Sequence, residues 1–211
     1  MTTTIKYIVG AVAVVLVAGV GYYMWTQKGS TLQPAAPIEQ PAPQQMATST
    51  YATSTFSVVY PADFTVDSSY MYDQVNPKKP ISGVKFTIPG TMATGTNLSS
   101  DTYVSIEQLP HAKNCTGDIY LHDNVKAQTM TDNGVTYSVA SSSGVGAGNL
   151  YEETVYAISP STPCTAVRYF IHSGNIGNYP PAGEPGAVTE FDRVALLAAF
   201  DKIRESLTLT H

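Results

Sequence analysis

The 211-residue chain has little charge. Charged residues make up 13% of it, and Lys and Arg together number 11 against 16 Asp and Glu. An average soluble protein is about one quarter charged. From Tyr51 onward nine Lys or Arg face fifteen Asp or Glu, a formal charge of −6. Lys78-Lys79, set between Pro77 and Pro80, is the only basic doublet. Phosphate neutralisation takes clustered basic side chains, so the composition argues against a nucleic-acid partner.

Cysteine is equally scarce, with only Cys115 and Cys164. Neither has a second Cys or a His at zinc-ligand spacing, and a set of His111, Cys115 and His122 fits no common zinc pattern. No metal and no cofactor is expected. There is also no G-x-S-x-G elbow, phosphate-binding loop, zincin helix, C-x-x-C or dinucleotide fingerprint. Gly144, Gly146 and Gly148 only alternate, which reads as a flexible loop over Gly144 to Asn149.

What is present begins with one uncharged run, Tyr7 to Trp25. As a helix it is about 28 Å long, enough to cross a bilayer core. Tyr22, Tyr23 and Trp25 gather at its far end, where aromatic rings favour the headgroup layer, and Lys6 and Lys28 bracket it. A cleaved secretory signal has a shorter apolar stretch followed by small residues; bulky aromatics follow here. Residues 1–28 are therefore expected to be a membrane anchor. Residues 29–50, with Pro34, Pro37, Pro41 and Pro43 and only Glu39 charged, read as an extended tether. Residues 51–211 form one domain by size.

The charge bias across the span is about one unit, placing the N-terminus in the cytoplasm and the domain outside. An even cysteine count agrees with an oxidising compartment. Bridging Cys115 to Cys164 would close a loop of about 50 residues, worth about 4 kcal/mol by chain entropy. Two free buried thiols are the other reading.

Fourteen tyrosines with plentiful Ser and Thr favour strands over helices. Strand signals lie at Thr55–Tyr60, Phe64–Asp67, Gly83–Ile88, Thr102–Leu109, Gly134–Ala140, Leu150–Ile158 and Thr165–His172, punctuated by turn residues. One helix is expected from near Thr189 to Ser206, with Asp192 in an approximate capping box. Its stripe is Phe191, Val194, Leu197, Phe200, Ile203, Arg204 and Leu207, apolar except for Arg204. A short helical turn is expected at Asp118–Leu121. The fold class is α+β: an antiparallel sheet with a C-terminal helix packed on it.

The segments Phe56-Ser57-Val58-Val59-Tyr60-Pro61-Ala62-Asp63-Phe64 and Phe200-Asp201-Lys202-Ile203-Arg204-Glu205-Ser206-Leu207 together resemble the PsbP-like family of extracytoplasmic domains. Phe64 stands where that family usually has Trp. The resemblance implies an antiparallel sheet with helices against it. The stretch from Cys164 to His172, on through Asn178-Tyr179-Pro180, is similar to membrane-anchored proteins of unknown function from uncultured bacteria. That suggests a bacterial envelope and brings no activity.

Folding Leu150–Ile158 against Cys164–His172 across a five-residue loop sets Glu152 opposite Phe170, Thr154 opposite Arg168 and Tyr156 opposite Ala166. Arg168 is then diagonal to Glu152. Glu152, Tyr156, Arg168 and His172 could bind a carboxylate or sugar, or form a cross-strand ion pair. Glu153 would face the other way, leaving no paired carboxylates for glycoside chemistry. The functional expectation is a membrane-tethered, non-enzymatic extracytoplasmic domain that binds an envelope protein, glycan or small ligand. An envelope hydrolase or modifying enzyme using Glu152, Arg168 and His172, and a structural subunit of an envelope complex, are the alternatives.

Overall fold

A computed structural model describes residues 47–210. The expected anchor and nearly all of the tether lie outside these residues. Among those described, no helix is long and apolar enough to cross a membrane.

The described residues form eleven strands in two antiparallel sheets. The small sheet has the order β1 (Thr48–Ala52), β2 (Phe56–Pro61), β11 (Thr208–Leu209). Strand β1 begins inside the stretch that composition assigns to the tether. The large sheet starts with β3 (Thr65–Asp67) and β4 (Met71–Tyr72), both paired to β5 (Ile81–Thr87). It continues through β6 (Tyr103–Leu109), β10 (Cys164–Gly174), β9 (Asn149–Ile158) and β8 (Val135–Gly146) to β7 (Gln128–Asp132). A four-residue helix α1 (Gly90–Ala93) and 3-10 turns at Gly117–Tyr120 and Ile176–Asn178 fill the connections.

One face of the large sheet carries Val84, Phe86, Val104, Ile106, Val167, Tyr169 and Ile171, and against it pack Phe56 and Val58 of the small sheet and helix α2 (Arg193–Glu205). Successive strand residues alternate between faces, so each of these apolar positions is separated by one that faces the other way. Helix α2 inserts Leu196, Phe200 and Ile203. Its cap is Asp192, whose carboxylate accepts the Ala195 N–H at 2.9 Å, so helix geometry starts three to four residues after Thr189. Val194, expected in the buried stripe, is exposed, and Leu196 takes its place. At the other end Ser206 Oγ accepts from Val59 N at 2.9 Å and donates to Val59 O at 3.0 Å, fastening the helix to β2.

The stretch Gly144–Asn149 is not a loop. Strand β8 runs on to Gly146, paired with Asn149 of β9, and the turn is only Ala147-Gly148. Both turn residues have positive φ, 49° and 81°, the signature of a type I′ hairpin that follows strand twist. Serines and glycines hid the strand because no side chain there needed burial.

The opposite face of the large sheet is covered over only part of its area. The 3-10 turn at Gly117–Tyr120 lies on β8 and β9 so closely that a Cβ on Gly117 would stand 2.8 Å from Ala140 N and Ser138 O. Tyr120 and Leu121 pack there with Val155, Ala157 and Ala166. Cys115 and Cys164 lie at disulfide distance, with Cα atoms 5.2 Å apart, tying this segment to the start of β10.

Candidate functional site

The register of β9 against β10 decides which side chains share the face away from α2. Arg168 pairs with Val155 and His172 with Tyr151. This is one residue away from the pairing expected from the hairpin, and a one-residue slip moves every side chain of one strand to the other face. Six consecutive residues of β10, Cys164–Tyr169, are buried, because both faces are covered there. Hydrophobic alternation therefore could not fix the register.

The expected cluster is accordingly divided by the sheet. Arg168 and His172 lie on the face away from α2. Glu152 and Tyr156 lie on the helix side, where Glu152 pairs with Arg193 and the Tyr156 ring stands under the Arg204 guanidinium at 4.8 Å. Glu152, Arg168 and His172 do not converge, so the hydrolase built on them loses its geometric basis. Glu153, expected to face away, is on the side of Arg168.

What the register does assemble is a buried ionic triad. Arg168 Nε donates to Glu107 Oε1 at 2.7 Å and Nη2 to Glu107 Oε2 at 2.9 Å, with neither side chain exposed. Nη2 also donates to Tyr120 O at 2.7 Å, and Nη1 donates to Glu153. The Tyr72 ring stacks on the guanidinium 3.5 Å from its centroid, and the Tyr72 hydroxyl donates to both Glu153 oxygens. Burial opposes the Arg168 charge, and the charge and hydrogen bonds of Glu107, with Tyr72 and Glu153 beside them, together outweigh it and hold the guanidinium protonated. Gly83, paired with Glu107 across β5 and β6, leaves room that a Cβ would fill: it would stand 3.2 Å from Glu107 Cγ.

Beyond the triad the sheet face opens into a groove of about 500 Å³. Its walls are Tyr70, Tyr72, Tyr103, Tyr151 and Phe170. Tyr103 and Phe170 stack with centroids 4.8 Å apart, and Tyr151 stacks on His172 at 4.4 Å. The Tyr70 and Tyr103 hydroxyls meet at 2.8 Å. Burial pushes the Tyr70, Tyr72 and Tyr103 phenols above the ordinary tyrosine value, so at neutral pH each keeps its proton. Glu153 reaches the groove with 18% of its side chain exposed, and Asp101, held by His172 Nδ1 at 2.8 Å, stands at the rim. An adjoining hollow continues past Tyr151 and Glu153 to His122, Asp123 and Gly144.

A larger cleft, about 720 Å³, lies between the β8–β9 turn and Ile176, Phe191 and Arg193. Much of its wall is the hairpin tip Val145–Asn149, and no buried charge faces it. The sheet-face groove joins an aromatic wall to a carboxylate, and is the stronger candidate.

Sequence reasoning missed Glu107, Lys85, Tyr70, Tyr72 and Tyr103. A signal for two of them was present. In Val84-Lys85-Phe86 and Val104-Ser105-Ile106-Glu107 the charged residues alternate with apolar ones, marking a second, non-core face of β5 and β6. Asn97, in a glycosylation sequon, is buried and internally bonded, donating to Gly174 O and accepting from Phe191 N. Among the described residues no group of three or more His, Cys, Asp or Glu is placed to hold a metal ion. No known protein family, curated protein or solved structure matches the chain.

Proposed function

We propose that the chain is a membrane-tethered, non-enzymatic binding protein of a bacterial envelope, whose extracytoplasmic domain holds a small ligand or a short segment of a glycan in the groove of the large sheet. The observation that carries this reading is the aromatic groove with the Glu153 carboxylate at its floor, on the part of the sheet that neither α2 nor the Gly117–Tyr120 turn covers. Aromatic walls with a few fixed polar groups are the usual make-up of ligand pockets.

Two features favour binding over catalysis. Glu107 and Arg168 are enclosed and paired with each other, so they are structural charges rather than groups that could meet a substrate. His172 has its Nδ1 engaged by Asp101, and its Nε2 is buried away from the groove's solvent. Among the described residues the large apolar side chains that stand exposed, Val59, Met71, Val145 and Val194, sit on four different elements rather than in one run, which does not favour a structural-subunit role. Delivery outside the membrane rests on the Tyr7–Trp25 run and the proline-rich tether.

Saturation-transfer NMR on the full chain, held in phosphatidylglycerol nanodiscs, tests the reading against a panel of soluble oligosaccharides, amines and short peptides. A groove-filling Gln74→Trp variant should abolish transfer to the bound compound. Gln74 is exposed and lines both the groove and the adjoining hollow. Val194→Trp, on the exposed side of α2, should leave transfer intact. Transfer that survives Gln74→Trp would contradict the reading.

A further inference from the structure

The triad beneath the groove is not neutral. Arg168 contributes one positive charge, Glu107 and Glu153 one negative charge each. Glu107 takes the guanidinium through both of its oxygens and is fully enclosed, so it is the counter-ion of Arg168. Glu153 is the surplus charge, and it is the member of the three that reaches the groove. A carboxylate held at a partly desolvated floor attracts a cation more strongly than one in water. The other acidic groups along the groove are Asp73 and Asp101, and its single basic lining residue is Lys85.

Lys85 makes no salt bridge among the described residues. Its Nζ stands 5.2 Å from the Tyr70 ring centroid and 5.5 Å from that of Tyr103. These two rings, joined through their hydroxyls, thus present a platform on which an ammonium already rests. Ring quadrupoles favour such a seat for any soft cation, and alkylated ammonium groups gain most because they lose little hydration.

We propose that the groove recognises an alkylammonium group, which displaces the Lys85 ammonium from the Tyr70–Tyr103 platform and lies within the field of Glu153. This rests on the reading of the groove as the ligand site. A neutral sugar would leave the surplus carboxylate unmatched, and an anion would be repelled by three carboxylates. Lys85 is then an internal competitor, not a contact.

The test uses the full chain in phosphatidylglycerol nanodiscs, titrated with choline and with its uncharged tert-butyl isostere. Choline should bind and the isostere should bind at least about tenfold more weakly. Lys85→Met should tighten choline binding by about tenfold, and Glu153→Gln should weaken it by a similar factor. Lys85→Met keeps the proposal testable if Glu153→Gln fails to fold. Adding phosphatidylcholine to the discs separates two sources of the same chemistry: loss of free choline binding marks a lipid headgroup as occupant, and retention marks a soluble amine. Equal binding of choline and the isostere, or weaker choline binding in Lys85→Met, overturns the cation proposal while leaving the groove as a ligand site. If no choline binds while a neutral oligosaccharide does, and Gln74→Trp abolishes it, the groove stands and the cation does not. If nothing binds, both readings fall.

Discussion

Arg168 of β10 and Glu107 of β6 form a two-bond ion pair, at 2.7 and 2.9 Å, with neither side chain in contact with solvent. The pair is placed by pairing across two strands, Arg168 against Ser105 and Ala166 against Glu107. Ser105 Oγ donates to Glu107 at 2.7 Å, so the carboxylate is bonded on both sides.

Breaking one half of this pair should be far worse than removing it whole. Arg168→Met leaves Glu107 buried without a counter-ion and should cost about 3–5 kcal/mol. Joining it to Glu107→Leu should recover most of that loss. Urea midpoints at constant slope measure both. A double variant as unstable as the single one would mean that the pair also holds the strands in register.

Gly117 carries the contact between the covering segment and the sheet. An added Cβ would lie 2.8–2.9 Å from three backbone atoms, which cannot move without breaking the β8–β9 ladder. Gly117→Ala should therefore destabilise by about 3 kcal/mol or more, whereas Gly144→Ala, with open space around it, should stay within about 0.5 kcal/mol. Thermal melts of the two variants distinguish them.

The cysteines should behave as a bonded pair. Replacing both Cys115 and Cys164 by Ser removes a cross-link spanning 49 residues, and the chain-entropy argument gives a loss of about 4 kcal/mol. Native protein should resist maleimide until reduced. Two thiols that label before unfolding, in unreduced protein, would show that the bond is not made.

Alkali should unfold the domain steeply. Burial raises the phenols of Tyr70, Tyr72, Tyr103, Tyr120 and Tyr169 above the ordinary value of 10.0. The unfolded chain releases these protons near pH 10 while the folded one retains them, so above that pH the folded state binds more protons and stability falls as pH rises. Below it the contribution is complete. Melting temperature should be flat between neutrality and about pH 9.5, then drop sharply, with tyrosine absorbance changing together with unfolding. Gradual ionisation of these phenols in a still-folded protein would contradict their burial.

The fold was legible in the sequence where one face of an element is apolar and the other is not. All seven expected strands exist, as does the C-terminal helix, because Val84/Phe86, Val104/Ile106 and Phe200/Ile203 make their periods plain. Reading failed where burial is two-sided or absent. Strand β10 is buried on both faces, so Arg168 could be assigned to either, and the register was off by one. Strand β7 (Q-T-M-T-D) and the end of β8 (S-S-S-G-V-G) are polar or small and lack a burial pattern. The groove depends on that register and on Tyr70 and Tyr72, which arrive from a separate edge. Arg204 interrupts an apolar helical stripe, and its burial has a reason only tertiary structure supplies: Tyr169, Asp132 and Asp201 receive its hydrogen bonds at 3.0, 2.7 and 3.1 Å.

The most direct measurement is a tyrosine map of the bound site. With the rings carbon-13 labelled in the full chain, choline should shift the resonances of Tyr70, Tyr103 and Tyr151, which wall the groove, and leave those of Tyr137, Tyr156 and Tyr169, on the helix side of the sheet, unchanged. Shifts confined to the helix-side tyrosines, or none at saturating choline, would contradict the account.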